Sequence, residues 1–322
     1  MKKRSLIVVI LVILGVILSV ILVDFAKNRP DRRGENPYAL EVDKYKEADP
    51  ELISHKETRV LDLGGMEAAS IDYFEDHLVV VGKSSLLILT PQGERVDQLT
   101  IGENPVAVSM NEEDYFVAYR RHVSMINREV GSQVHWDELD ERTVITNLAL
   151  GKDRLYVADA GNRRVLIYSL DGQFMGEFEG KADSEAGHGF IVPSANFDLV
   201  VNAFGELWVV NPGKHALERY SDEGRLMGFW ERRSFEIDGF LGCCNPARIT
   251  SMEDGAFITS EKKMIRIKIH EPSGELRSVI ALPGQFEEEG KAPDVCAGPG
   301  GVVYALDFER MQIRIFEEVK DE

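Results

Sequence analysis

Residues 155–172 read LYVADAGNRRVLIYSLDG. Leu155, Tyr156 and Val157 form a short apolar run. Asp159-Ala160-Gly161-Asn162 is a turn cluster, residues 165–168 (VLIY) are a second run, and Asp171-Gly172 closes it. Two apolar runs around a tight loop, ended by Asp-Gly, predict a β-hairpin. A hairpin alone is marginal in water, so it needs neighbours built on the same plan. The first run recurs at residues 78–81 (LVVV), 115–118 (YFVA), 207–210 (LWVV), 256–259 (AFIT) and 303–306 (VYAL), at intervals of about 37 to 52 residues. That interval is near the roughly 40–50 residues of a propeller blade. The second run recurs at 86–89, 123–126, 217–220, 265–269 and 313–316, and turns follow it at Pro91-Gln92-Gly93, Asp222-Glu223-Gly224 and Pro272-Ser273-Gly274. Pro105, Pro193, Pro246 and Pro293 open the first strands, a place where a missing N–H is tolerated.

Six anchors predict six sheets. The last unit runs out of chain after Phe316 and lacks an outer strand, while residues 58–63 (TRVLDL) lie unclaimed ahead of the first. Adding that strand to the last sheet closes the ring and removes its open edges. An open solenoid would need capping segments, and the sequence offers none. The expected fold is all-β, a six-bladed β-propeller, preceded by one N-terminal transmembrane helix.

The stretch at 155–172 resembles the NHL repeat, whose units read strand, Asp-x-Gly-Asn-x-Arg-Val, strand, Asp-Gly. Residues 207–224 and 303–316 are degraded copies: Asn211 and Asp307 hold the position of Asp159, while Ala216 and Gln312 replace Arg164. The resemblance covers roughly residues 58–319. It implies a fold and little about activity, because NHL propellers include scaffolds, ligand binders and a few enzymes. The segment Cys243-Cys244-Asn245-Pro246 with Thr259-Ser260-Glu261-Lys262 is similar to uncharacterised membrane-anchored bacterial NHL proteins, a likeness that implies location and no chemistry.

At the start of the chain, Met1-Lys2-Lys3-Arg4 precedes an uncharged apolar run over residues 5–23, ended by Asp24. About 19–20 apolar residues rising 1.5 Å each would cover a hydrocarbon core of roughly 30 Å. A cleavable signal peptide has a shorter apolar region and small residues at the cut; here Asp24 stands third back from the candidate cut after Ala26. The expected organisation is therefore a cytoplasmic tail (1–4), a membrane anchor (5–23), a polar stalk (24–57) with a short helix near 40–47, and the propeller (58–319). The basic residues ahead of the anchor place the N-terminus inside and the propeller outside, periplasmic or extracellular. A net charge of −18 over 322 residues argues against nucleic acid or an anionic membrane surface as partner.

In such a ring, turns between second and third strands share a face with the blade-to-blade connections. Those turns carry Lys83, Arg120, Arg121, His122, Arg163, Arg164, Lys214, His215, Lys262, Lys263 and Arg310, while acidic residues gather in the opposite turns. The expected binding set is Arg120, Arg121, Arg163, Lys214, His215, Lys262, Lys263 and Arg310, facing an anionic ligand or another envelope protein. Arg164 sits at the repeat's usual arginine and is expected to tie blades together.

Cys243 and Cys244 lie in the blade 4–5 connection, and Cys296 on the next inner strand. Four states stay open: a bridge from Cys296 to Cys243 or Cys244, a vicinal Cys243–Cys244 bridge, buried free thiols, or a metal or redox site with His188 or His215 as a further ligand. No Cys-x-x-Cys occurs. An enzyme is the weaker expectation. Lactonase-type propellers hold a divalent cation at the axis, and the inner strands supply Asn147, Asn196, Asp198 and little else, thin for an ion wanting six or more oxygens. The seven histidines recur at no common blade position, as the peptide-amidating lyases of the NHL group would require, and there is no nucleophile elbow. The sequence leaves the cofactor unknown.

Overall fold

The computed structural model describes residues 2–27, 42–181, 189–287 and 290–319. The chain divides into two compact units, Met1–Val42 and Asp43–Glu322.

The second unit is the six-bladed propeller, each blade a four-stranded antiparallel sheet. Blade 1 is Ala68–Phe74, His77–Gly82, Ser85–Leu89 and Arg95–Thr100; blade 2 is Ala107–Met110, Asp114–Ala118, Val123–Asn127 and Gln133–His135. Blade 3 is Ile145–Leu150, Arg154–Asp159, Arg164–Ser169 and Phe174–Phe178; blade 4 is Leu199–Val201, Leu207–Asn211, Ala216–Tyr220 and Leu226–Glu231. Blade 5 is Arg248–Ser251, Phe257–Ser260, Ile267–His270 and Leu276–Ala281. Blade 6 takes Asp294–Ala297, Val303–Asp307 and Gln312–Glu318 from the end of the chain and His55–Asp62 from its start. The closing strand pairs His55 with Glu318 and Asp62 with Gln312, so the ring closes as the unclaimed strand predicts. Arg314, nearly buried, fastens this seam by pairing with Glu57 of the closing strand.

Blades stack face to face because each sheet is apolar on both sides. Every apolar cluster joins two neighbours: Val80 and Leu306 meet between blades 6 and 1, Val117 and Val81 between 1 and 2, Leu155 and Phe116 between 2 and 3. Val209 packs with Val165, Phe257 with Trp208, and Ala305 with Ile258. A row would leave two such faces wet; a ring leaves none.

The quoted repeat has a physical basis. Asp159, fully buried, accepts from the Val144 and Asn162 amides at 3.0 and 3.2 Å and from Arg164 Nε at 2.9 Å. It thus nails the connection arriving from blade 2 to the turn of blade 3. Gly161 is required because a Cβ there would stand 1.9 Å from the Arg142 carbonyl oxygen. Arg164 also reaches Asp140 and Glu177, the tying role expected of it. Asn211 repeats the device in blade 4 by accepting from the Ile191 amide at 2.9 Å.

The N-terminal segment corrects the membrane expectation. Lys2–Lys27 is a helix, yet among the described residues no helix is long and apolar enough to cross a membrane. Its side chains are described over residues 11–25 and at Lys27. The anchor at 5–23, the insertion in a membrane and the placement of the propeller outside it fall together. Met1, and residues 28–41 of the expected stalk, lie outside the described residues. From Asp43 onward that stretch packs on the propeller: Tyr45 lies against Phe235 at 5.5 Å, and Ile53 bridges to Val279 of blade 5.

Candidate functional site

The inner strands place their side chains around the ring axis with period 2. Pairing aligns Tyr73, Met110, Leu150, Val201, Ser251 and Ala297 as equivalent positions. Three residues earlier the ring reads Ser70, Ala107, Asn147, Asp198, Arg248 and Asp294; one residue earlier it reads Asp72, Ser109, Ala149, Val200, Thr250 and Cys296. The first ring is a polar layer that links blades 3 to 6 and reaches blade 1. Asn147 Nδ2 donates to Asp198, Asp198 Oδ2 accepts from the Ile249 amide at 2.9 Å, and Asp294 Oδ2 accepts from the Ile71 amide at 3.0 Å. Arg248 spans the axis, its Nε 3.8 Å from Asp294 and its Nη1 donating to the Thr146 carbonyl at 3.4 Å.

A pocket lies at each end of this layer. The lower one, of about 400 Å³, is walled by Asp72, Ser109, Asn147, Thr250, Asp294 and Cys296 among others. Loss of hydration pushes the Asp72 carboxyl up to about 7, with the neighbouring Asp294 charge adding and hydrogen bonds from Tyr73 and Ser109 opposing. Burial likewise raises Asp198 to about 6 against the pull of Arg248. Sequence reading found Asn147 and Asp198 and missed Asp72 and Asp294. The missing signal was the register: aligning blades residue by residue puts Asn147, Asp198, Arg248 and Asp294 at one position. Among the described residues no group of three or more His, Cys, Asp or Glu could hold a metal ion.

The upper pocket, of about 460 Å³, opens on the face of the turns and connections. Arg248 and Asn196 reach it from the axis, Lys262 from blade 5 and Lys291 from the blade 5–6 connection, between Val106 and Phe308. Lys262 Nζ donates to Ser194 Oγ at 3.1 Å, and Lys291 Nζ lies 5.6 Å from the Phe308 ring centre. Among the described residues neither lysine has a carboxylate within 4.0 Å.

The predicted basic residues all fall in the second-to-third-strand turns, but they do not act together. Arg121 pairs with Glu138, Lys214 with the buried Glu218 at 2.9 Å, and Arg310 with Asp307 and Glu287 at 2.9 and 3.2 Å. Glu138 and Glu287 come from the connections on the same face, whose acidic residues the sequence reading did not set against the turns. Arg120, Arg163 and Lys263 stay exposed around the rim, Arg163 and Lys263 at positive φ. His215 is buried, with its pKa lowered by burial and by Arg233, and it is hydrogen-bonded to the Asn245 backbone.

The cysteines separate into two places. Cys296 is buried on the lower-pocket wall among Asp72, Asp294 and Tyr304; burial and those charges push its thiol well upward. Cys243 and Cys244 lie beside Lys262 and Ser194, their sulfurs 3.1 Å apart, and all three cysteines are free. Of the two further ligands considered, His188 lies outside the described residues and His215 supports the Cys244-Asn245 backbone.

No protein-family model matches the chain, and no curated protein does. Among solved structures it is similar to a streptogramin B lyase, with 12% identity, 83% of this chain and 98% of the other covered, and a TM-score of 0.59. It is also similar to virginiamycin B lyase from Staphylococcus aureus, at 14% identity, 83% and 89% coverage and a TM-score of 0.57. A protein of unknown function from Bacteroides thetaiotaomicron is similar at 14% identity, 83% and 76% coverage and a TM-score of 0.57. Likeness at this level of identity establishes the six-bladed propeller and nothing finer.

Proposed function

We propose that the propeller is a binding module whose upper axial pocket takes a compact anion, a small molecule bearing phosphate or several carboxylates. The observation that carries this is the convergence of Arg248, Lys262 and Lys291 on one pocket in a chain of net charge −18. Cations gathered in a concave site inside an acidic protein focus the field on that site, attract an anion and raise its encounter rate. Asn196 adds an amide that can donate or accept, while Val106 and Phe308 give the pocket apolar walls that weaken screening. The exposed Arg120, Arg163 and Lys263 extend the same sign outward and would serve an acidic protein surface if the true partner is large.

Calorimetric titration with pyrophosphate and with citrate at low ionic strength tests this. The wild-type protein is expected to bind one of them, with affinity falling as salt rises. The Lys262→Glu, Lys291→Glu double variant, with circular dichroism unchanged, is expected to lose binding. Equal affinity in that variant would sink the proposal.

A second reading has one observation behind it. Asp72, raised to about 7 on the lower-pocket wall, has the ionisation of a general acid or base near neutrality. This would be the hydrolase or lyase alternative. It is ranked second because Asp72 is committed to Ser109 Oγ at 3.1 Å and to the Tyr73 amide at 2.8 Å.

A further inference from the structure

The turn bearing the adjacent cysteines is held more firmly than a surface turn needs to be. Asn245 Nδ2 donates to the Leu241 carbonyl at 2.6 Å, and Asn245 Oδ1 accepts from the Lys262 amide at 3.0 Å. The Leu241 amide donates to Glu261 Oε2 at 2.9 Å, and Glu261 is itself fixed by Arg266 and Lys268. Gly242 takes the left-handed conformation, φ +82°, that lets the chain reverse just before the pair. The result is two sulfurs in contact, one facing solvent and one buried.

Their electrostatics differ. Burial alone would raise Cys244, but hydrogen bonds from Ser194 and Cys243, together with the Lys262 charge, outweigh it and lower its pKa. Cys243 is raised, chiefly because its thiol hydrogen is given to Cys244. A buried sulfur beside an ammonium, touching an accessible thiol, is the arrangement in which one sulfur meets an external reagent and the other completes the reaction.

We propose that Cys243 and Cys244 form a thiol–disulfide exchange centre, in which Cys243 meets a small-molecule disulfide and Cys244 resolves the adduct. Cys243 gives its proton to solvent and attacks one sulfur of the incoming disulfide, RSSR. The S–S bond of RSSR breaks, and the departing thiolate is protonated by solvent and leaves as RSH. Cys243 is now a mixed disulfide. Cys244 loses its proton to solvent beside Lys262 and attacks the Cys243 sulfur; the second thiolate departs, is protonated by solvent, and a Cys243–Cys244 disulfide remains. One RSSR is reduced to two RSH and the pair is oxidised by two electrons. The cycle reverses with excess thiol. Cys296, buried and with its thiol pushed well upward, takes no part. This holds whether or not the upper pocket binds an anion.

The test uses the full chain, fully reduced, then exposed to oxidised glutathione, quenched with iodoacetamide and digested for mass spectrometry. The peptide carrying both cysteines is expected to lose two hydrogens and to carry neither alkyl group nor glutathione. Cys296 is expected to alkylate only after denaturation. Cys244→Ser is expected to accumulate glutathione on Cys243. The proposal is overturned if the wild-type peptide keeps two alkylatable thiols, or if it accumulates glutathione on Cys243 as Cys244→Ser does.

Discussion

Arg266 forks onto Glu261, its Nε 2.8 Å from Oε1 and its Nη2 2.8 Å from Oε2, with both side chains wholly withdrawn from water. Lys268 adds a second buried cation 2.9 Å from Glu261. The spare donors go to backbone carbonyls: Arg266 to Phe235, Glu236 and Gly239, and Lys268 to Ile237 and Gly239. One carboxylate on blade 5 therefore organises the connection that delivers the cysteine pair. Burial works to raise Glu261, but Lys268 and Arg266 overcome it and hold the carboxyl below its usual range. For Lys268 burial dominates, and its ammonium is lowered to about 8.

Replacing that carboxylate leaves two cations stranded in a dry interior. Glu261→Gln is expected to cost about 3–5 kcal/mol, the usual penalty for breaking a buried ion pair from one side. Urea unfolding measures it; an unchanged midpoint would contradict the account.

The axial carboxyls predict an acid-side contribution to stability. Asp72 holds its proton up to about 7 in the folded chain and only to about 3.8 when unfolded. Stability from this group is therefore complete below the unfolded value and is lost as pH rises through about 7; Asp198 behaves alike, up to about 6. Asp72→Asn stays neutral throughout. Its urea midpoint is expected to exceed the wild type's at pH 8 and to vary less between pH 4 and 7. Parallel profiles would refute the assignment.

Ring closure predicts a sharp difference between two truncations. Removing residues 1–42 is expected to leave the propeller's thermal midpoint unchanged, because the remainder is a compact unit of its own. Removing residues 1–62 strips the closing strand from Gln312–Glu318 and exposes an unpaired edge. A lower midpoint and concentration-dependent association are expected, measurable by scanning fluorimetry and light scattering.

In the repeat turn, Gly161→Ala would drive a methyl group into the Arg142 carbonyl. A loss of about 1–3 kcal/mol is expected from forced backbone movement. Asp159→Ala should cost a similar amount, about 1–3 kcal/mol, by leaving the Val144 and Asn162 amides unpaired. Chemical denaturation of both variants checks this.

The blades were readable because a strand's apolar alternation and its closing turn are local properties of consecutive residues. Even the closing strand could be found by accounting for an unpaired edge. Blade 5 was off by one, since its second strand begins at Phe257 and not Ala256. The axial layer was only half readable: Asn147, Asp198, Arg248 and Asp294 come together through register, and no linear spacing marks them. The basic turns were placed correctly, yet their ion pairs depend on which connection folds over which turn. Lys291, in a connection, was missed for the same reason. The apolar N-terminal run invited a membrane reading from its length alone, which the helix of the described residues does not support.

The seam in blade 6 also imposes an order on manufacture. His55–Asp62 leaves the ribosome five blades ahead of its partner Gln312–Glu318. Throughout that interval the early strand must wait without a mate, and blade 6 cannot be completed until its partner has emerged. A nascent chain stalled before that partner is thus expected to expose an adhesive border, making the interval before ring closure the one in which this protein most needs chaperone protection.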